Sequence, residues 1–192
     1  PFNFPAMVPW WFAPWAITAG DSFIIKPNER CPMTQNKIFE LLDEEIDLPD
    51  GVINLINGGK KVSKQLIEHP SVEGISFVGS TEVGKYIYSQ AAKEGKRVQC
   101  QTGANNFLVV TPDANLQKII PNIMNACFGN AGQRCLAGSV ILGVGDIYGE
   151  LKEKIIESSK DLKVGHGLDE DTEVGPVISK DSLKRLHSSI EK

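Results

Sequence analysis

Basic charge is scarce in this sequence and is never clustered. The 192 residues include 20 Lys and Arg against 24 Asp and Glu, which gives a formal net charge of −4. No run of Lys or Arg is longer than two residues. Because proteins bind the nucleic-acid backbone through clustered positive charge, we expect no nucleic-acid partner.

Zinc-binding spacings and a dense disulfide framework are also missing. The four cysteines, at positions 31, 100, 127 and 135, form no C-x-x-C pair, and the three histidines lie far from them in the sequence. This pattern predicts no metal site. It favours a reducing compartment, either the cytoplasm or, if the parent protein is eukaryotic, the mitochondrial matrix.

Long apolar segments are absent too. The most apolar run, residues 4–20, is shorter than the ~20 residues that span a bilayer, and it lacks the basic start of a signal peptide. We therefore expect no membrane partner. The chain begins at Pro1 instead of Met and opens directly into a motif, so we also expect it to be a piece of a longer protein.

Strand and helix patterns alternate along the chain, whose 41% hydrophobic and 23% charged residues are typical of a globular protein. A first apolar segment predicts a buried helix at residues 5–19. Beyond it we expect strands at 22–26, 52–56, 74–78, 97–100, 107–111 and 139–144, and helices at 34–45, 61–68, 82–93, 115–128, 148–163 and 182–191. This alternation predicts an α/β fold, with a parallel Rossmann-like sheet covered by helices on both faces and a second α/β domain that starts after Gly103.

A glycine-rich loop at residues 128–139, FGNAGQRCLAGS, presents Cys135 between an apolar helix and an apolar strand. Its glycines lose much backbone entropy on folding and add no side-chain packing, so the loop is costly for a purely structural purpose. We interpret it as an active-site loop with a nucleophilic thiol; the alternative is a structural cysteine. Cys100 and Cys127 fall on periodic faces of a strand and a helix, so we expect both in the core.

Residues 79–84, GSTEVG, stand where a predicted strand ends and a predicted helix begins. The N–H groups of the first helical turn and the positive end of the helix dipole suit a phosphate. The segment is not the G-x-G-x-x-G fingerprint. A capped helix with Ser80 or Thr81 as the N-cap residue is the other interpretation.

Two other positions carry polar groups suited to a ligand. Lys26 and Glu29 follow a different strand at its carboxyl end, where they either bind the hydroxyls of a ribose or are solvated surface residues. Asn3, in PFNFP, is flanked by prolines and aromatics. Its amide is either a fixed donor of the kind that an oxyanion hole requires or an ordinary turn residue.

Five motifs together resemble the aldehyde dehydrogenase superfamily over essentially the whole chain. They are PFNFP, KPNE, FVGSTEVGK, QTGANN and FGNAGQRC, in this order. The resemblance implies most of an NAD-binding domain at residues 1–103 and the first part of a catalytic domain at residues 104–192. It also implies a full-length protein that is a homodimer or homotetramer and acts on a small-molecule aldehyde.

The resemblance further implies roles for individual residues. Cys135 is the nucleophile, and Asn3 forms the oxyanion hole with the backbone N–H of Cys135. The cofactor-binding positions are Lys26, Glu29, Gly79, Ser80, Thr81 and Gly84. NAD is favoured over NADP because the carboxylate of Glu29 would repel a 2′-phosphate.

One departure from the family pattern bears on the reaction. Gln101 stands where most of the family has a glutamate, the base that activates water to hydrolyse the acyl-enzyme. Glutamine cannot take a proton, and a general base contributes typically ~10² to 10⁴ in rate. The chain therefore resembles the CoA-acylating methylmalonate-semialdehyde dehydrogenase branch, in which the arginine matching Arg134 binds the substrate carboxylate. That branch implies oxidation of a (methyl)malonate semialdehyde, transfer of the acyl group to CoA, and decarboxylation.

Three other functions stay open on the sequence. An ordinary hydrolytic aldehyde dehydrogenase would release a carboxylate. A nucleotide-binding fragment would bind cofactor without catalysis. A cysteine hydrolase would need a base, and none of the three histidines has a motif around it.

Overall fold

Three βαβ units form the framework of the chain. The structure, a computed structural model, describes residues 1–191, and the chain divides into two compact units, Pro1–Gly103 and Ala104–Lys192. Within residues 1–191 the strands are β1 Phe23–Ile25, β2 Ile53–Leu55, β3 Gly74–Val78, β4 Arg97–Gln101, β5 Asn106–Val110 and β6 Gly138–Gly143. The pairs β1–β2, β3–β4 and β5–β6 are all parallel, each with a helix between its two strands.

The helices of the described residues are α1 Ala13–Thr18, α2 Met33–Glu45, α3 Lys60–Glu68, α4 Thr81–Lys93, α5 Leu116–Phe128, α6 Ile147–Lys160 and α7 Lys180–Ile190. Short 3-10 helices occur at Val8–Trp11 and Gly129–Gly132. The α/β fold class predicted from the sequence is confirmed. Among residues 1–191 the hydrogen-bonded ladders form three separate two-stranded sheets.

In the first unit, α3 and α4 supply the buried core beside β3 and β4. Ile67, Ile87 and Ala91 are buried, and partly buried side chains of the two strands, Cys100 among them, pack against them. Helix α4 forms here because Gly84, Ile87 and Ala91 share one helical face and are all buried. Cys100 therefore lies against the core, as the alternation of β4 predicts.

In the second unit, α5 supplies most of the core, which covers one face of the β5–β6 pair. The buried residues are Val110, Leu116, Ile120, Ile123, Met124 and Leu151, and Cys127 packs against them. The side chain of Asn115 caps α5 by accepting from the N–H of Lys118 at 3.2 Å. Cys127 is thus a core residue, as the helical periodicity predicts.

The predicted buried helix at residues 5–19 is wrong. A 3-10 helix and the short α1 occupy this segment, and Trp15 is 79% exposed. Pro9 and Pro14 each stand in the first turn of a separate helix, because proline starts a helix readily but cannot donate inside one. Strand β1, which follows this segment, is buried on one face only, because Ile25 is 3% exposed whereas Ile24 is 39% exposed.

Candidate active site

The loop before Cys135 begins with a left-handed turn. Asn130, Ala131 and Gly132 have φ values of 54°, 53° and 70°. The N–H of Gln133 closes the turn by donating to the carbonyl of Asn130 at 3.0 Å. Left-handed backbone costs roughly 1–2 kcal/mol at a non-glycine residue, and such conformations cluster at functional sites. Ala131 therefore marks the loop as a segment whose conformation is imposed by its surroundings.

The side chain of Gln133 holds this left-handed turn in place. Its Nε2 donates to the carbonyl of Asn130 at 3.1 Å, and its Oε1 accepts from the backbone N–H of Ile178 at 2.9 Å. The amide thereby joins the loop to a segment 45 residues further along the chain. Sequence reasoning did not assign a role to Gln133, although it stands within the quoted GQRC motif.

Cys135 lies in the turn that follows. The N–H of Ala137 donates to the carbonyl of Arg134 at 3.1 Å, so Cys135 and Leu136 are the two central residues of a four-residue turn. The cysteine is half-buried and Leu136 is 75% exposed. This position suits a reactive thiol, because a turn leaves its central side chains accessible.

Asn106, at the first position of β5, contacts this cysteine turn directly. Its Nδ2 donates to the carbonyl of Cys135 at 2.7 Å and to the carbonyl of Ala137 at 2.9 Å. The sequence prediction missed Asn106 even though the residue belongs to the quoted QTGANN motif. Nothing local to that motif indicates a contact across 29 residues.

The guanidinium of Arg134 lies at the carboxyl end of α5. One of its terminal nitrogens donates to the carbonyl of Asn125, where a cation is stabilised by the helix dipole. Its Nε is buried and has no hydrogen-bond partner among the described residues. Burial raises the pKa of the Cys127 thiol, and the positive charge of Arg134 acts in the opposite direction. A role for Arg134 in substrate binding stays a prediction.

In the first unit, the residues that end β3 and β4 lie together. The N–H of Gly79 donates to the carbonyl of Gln101 at 3.1 Å, and the N–H of Gly103 donates to Thr81 Oγ1 at 3.2 Å. Gln101 is the last residue of β4 and is exposed. The structure therefore brings Gly79, Thr81 and Gln101, three of the predicted site positions, to the carboxyl end of the β3–β4 pair.

Helix α4 starts at this same end with Ser80 as its N-cap. Ser80 Oγ accepts from the N–H of Val83 at 3.4 Å. A Cβ on Gly79 would collide with the ring of Phe77, and one on Gly84 would collide with the methyl group of Thr102. Both glycines thus have a packing reason, and Ser80 caps the helix whether or not a phosphate binds there.

Lys26 and Glu29 lie at the carboxyl end of β1. Lys26 Nζ donates to the carbonyls of Pro27 and Gly58, each at 2.8 Å. Burial lowers the pKa of the Lys26 ammonium, while the negative charge of Glu29 acts in the opposite direction. Glu29 itself is exposed. Because an ammonium has three N–H donors, one remains beyond these two bonds.

Asn3 lies half-buried in the turn that precedes the 3-10 helix. The fully buried Gln35 of α2 holds this turn, because its Nε2 donates to the carbonyls of Pro5 at 2.5 Å and Ala6 at 3.2 Å. Gln35 is a second supporting amide that sequence reasoning missed. Of the predicted site residues, Asn3 belongs to the first unit, and Arg134 and Cys135 belong to the second.

Neither a membrane span nor a metal site is found in the part of the chain that the structure describes. Within residues 1–191, no helix combines the length and the apolar character that crossing a bilayer requires. The same residues contain no group of three or more His, Cys, Asp or Glu side chains arranged to hold a metal ion.

Comparison with known proteins identifies the class to which these features belong. The sequence profile of the Aldehyde dehydrogenase family matches residues 1–192. The chain belongs to the aldehyde dehydrogenase family, which confirms the resemblance seen in its motifs.

Its relatives include semialdehyde dehydrogenases. Malonate-semialdehyde dehydrogenase 1 of Geobacillus thermodenitrificans (strain NG80-2) is 49% identical over 191 residues, covering 100% of this chain and 39% of the relative. A solved structure from Sinorhizobium meliloti 1021, of a protein described as a methylmalonate-semialdehyde dehydrogenase in complex with NAD, matches with a TM-score of 0.93 at 40% identity. The match covers 100% of this chain and 39% of the Sinorhizobium meliloti chain. Methylmalonate-semialdehyde dehydrogenase of Oceanimonas doudoroffii gives a TM-score of 0.92 at 42% identity with the same coverage. The chain thus spans 39% of the length of these proteins.

Proposed function

We propose that the protein containing this chain oxidises malonate semialdehyde or methylmalonate semialdehyde with NAD and passes the acyl group to CoA. Residues 1–103 supply the NAD-binding domain, and residues 104–192 begin the catalytic domain. The observation that carries the proposal is Cys135 at the centre of an accessible turn whose carbonyls are held by a side-chain amide. The names of the relatives support the substrate class.

The residues at the carboxyl ends of β1 and β3 fit NAD. The third N–H of Lys26 and the exposed carboxylate of Glu29 are a donor and an acceptor for the two hydroxyls of a ribose. The first turn of α4, which begins at Thr81 after the Ser80 cap, offers N–H groups to a pyrophosphate, and Gly79 and Gly84 let Phe77 and Thr102 pack closely against this turn. NAD, when bound, supplies the hydride acceptor.

The chemistry begins at Cys135. Its thiolate sulfur bonds to the aldehyde carbon, and the carbonyl oxygen becomes an oxyanion that accepts from the Asn3 amide and the Cys135 N–H. A positioned oxyanion donor is worth ~10² to 10³ in rate. With a hydride acceptor bound, the tetrahedral carbon would lose its hydride, and a thioester would remain on the Cys135 sulfur. The C–C bond to the β-carboxylate breaks to release carbon dioxide, and the α-carbon takes up one proton. The thiol of CoA loses its proton and attacks the thioester carbon, and the Cys135 thiolate leaves.

Gln101 and Arg134 fit this course of reaction. The amide of Gln101 cannot act as a base for water, which disfavours hydrolysis of the thioester. The guanidinium of Arg134 binds the carboxylate of the substrate when it exchanges the carbonyl of Asn125 for a charged acceptor, because charge-assisted hydrogen bonds are the stronger kind.

The CoA step is tested by measuring steady-state NADH formation by the full-length protein with malonate and methylmalonate semialdehydes, with and without CoA. We expect turnover to depend on CoA, apart from a single burst equal to the enzyme concentration. Gln101→Glu is expected to add turnover without CoA, whereas Gln99→Glu, two residues earlier on the same strand, is not. Equal steady-state rates with and without CoA would refute the CoA step and establish a hydrolytic aldehyde dehydrogenase. No NADH under either condition would mean a nucleotide-binding protein without this catalysis.

A further inference from the structure

We propose that Asn106 is a positioning residue that sets the conformation of the Cys135 turn for nucleophilic attack. The evidence is one side-chain amide that holds two carbonyls of the turn. Its Nδ2 donates to the carbonyl of Cys135 at 2.7 Å and to that of Ala137 at 2.9 Å. Both N–H bonds of the amide are used on the segment that presents the thiol.

Asn106 can hold the turn because its own backbone is part of the β5–β6 ladder. It is paired with Gly138, whereas the next residue, Phe107, is paired with Val140, so Ser139 is the extra residue of a β-bulge. The N–H of Asn106 donates to Ser139 Oγ at 3.4 Å. Bulges of this kind occur beside active sites, where they redirect a side chain. The amide therefore links the cysteine turn to a fixed strand.

Apart from Asn106, the turn has few polar contacts; Ser139 Oγ donates to the carbonyl of Ala137 at 3.4 Å. One backbone hydrogen bond closes the turn, from the N–H of Ala137 to the carbonyl of Arg134 at 3.1 Å, and its central Leu136 is 75% exposed. The loop reaches the turn through left-handed residues, Ala131 among them. Packing therefore contributes little at the tip of the turn, and polar contacts set its conformation.

The direction of a carbonyl determines ψ of its residue. When Asn106 fixes the Cys135 carbonyl, it fixes ψ of Cys135 and with it the angle between the thiol-bearing bond and the rest of the turn. A misplacement of about 1 Å at a reacting group costs ~10²-fold in rate. Asn106 thus acts on the reaction through Cys135 without contacting the substrate.

Isosteric substitution separates this role from packing. Asn106→Asp keeps the shape but replaces the two donors by a carboxylate that only accepts, which then faces two carbonyl oxygens. Asn106→Ala removes the contacts, and Asn106→Gln keeps the amide on a longer stem. The matched control is Asn115→Asp in the same unit, because Asn115 Oδ1 accepts from the N–H of Lys118 and aspartate caps a helix equally well.

The inference rests on Cys135 being the nucleophile of the proposed function, so the experiment has two independent readouts on the full-length protein. The first is the rate of Cys135 alkylation by iodoacetamide, located by peptide mass spectrometry. The second is kcat and KM for NADH formation. A thermal unfolding curve is recorded for each variant.

For Asn106→Asp we expect a fall in kcat of ~10 to 10², an altered Cys135 alkylation rate, and an unchanged KM for NAD. Asn106→Gln should retain more activity than Asn106→Ala, and Asn115→Asp should stay within twofold of the parent. The inference is overturned if Asn106→Asp and Asn106→Ala keep both rates within twofold, or if lost activity only follows the unfolded fraction. If Cys135→Ala keeps its activity, the proposed function fails, while the alkylation readout still reports whether Asn106 sets the turn.

Discussion

The two glycine-rich junctions of the chain, residues 79–84 and residues 128–139, reach their conformations by different means. At residues 79–84 a strand passes into α4 through an ordinary N-cap, and its glycines are needed because Phe77 and Thr102 occupy the space of a side chain. At residues 128–139 a helix passes into β6 through left-handed backbone that includes two non-glycine residues, Asn130 and Ala131. That backbone is held by the side-chain amide of Asn106, which donates to it from β5, and by the side chain of Gln133 within the junction, which accepts from the backbone N–H of Ile178.

The two junctions therefore depend on different kinds of interaction. The first junction is built from packing and a local cap, so its backbone conformation is set once α4 forms. The second depends on hydrogen bonds across 29 and 45 residues. Its geometry is therefore sensitive to single polar substitutions that leave the core intact.

The largest effect on stability is expected at Gly84. Gly84→Val places a branched side chain against Thr102 and Phe77, and overpacking of this kind costs about 2–3 kcal/mol. Chemical denaturation of the full-length protein measures the change in the free energy of unfolding. The control is Gly149→Val in α6, where an added Cβ meets no neighbour and the expected change is under about 0.5 kcal/mol. Equal losses in the two variants would show that packing does not determine the first junction.

A smaller loss of stability is expected from substitution of Gln133, and the destabilisation should be concentrated at residues 128–139. Gln133→Ala removes the bonds to Asn130 and Ile178, each worth about 1 kcal/mol. Hydrogen exchange should speed up at residues 129–137 while α4 is unaffected. If exchange rises uniformly over both units, the junction is not held locally by this amide.

Ser80 should give the smallest change in stability and should separate capping from ligand binding. Ser80→Ala removes the cap of α4, which costs about 1 kcal/mol. Ser80→Asp should restore that stability, because aspartate caps a helix, yet weaken NAD binding because its charge repels a pyrophosphate. Calorimetric titration with NAD measures the affinity. An aspartate variant that binds NAD as tightly as the parent would place the pyrophosphate elsewhere.

The elements of the first junction follow from local sequence rules, and those of the second follow only in part. Strand β3 and helix α4 lie within one residue of the predicted bounds because the apolar period and the Ser80 cap agree. The left-handed φ of Ala131 could not be predicted, because alanine seldom adopts that conformation. The contacts of Asn106 could not be predicted either. Its acceptors are two backbone carbonyls, which every residue has, so the sequence does not indicate the partner.

Structure at two other places was also not predicted from the sequence. Pro9 and Pro14 divide the first apolar run into two short helices, a local effect that apolar content alone conceals. The contact of the Arg134 guanidinium with the carbonyl of Asn125 was not predicted either, while the role of Arg134 in substrate binding stays a prediction. The adjacency of Arg134 and Cys135 in the sequence does not indicate which acceptor the guanidinium contacts.

The central claim is that Cys135 forms the covalent bond to the aldehyde. Its most direct test compares Cys135→Ala with Cys31→Ala in the full-length protein, by NADH formation from malonate semialdehyde and by NAD binding. We predict that Cys135→Ala forms no NADH yet binds NAD as the parent does, while Cys31→Ala keeps its activity. NADH turnover by Cys135→Ala at the parent's rate would contradict the account.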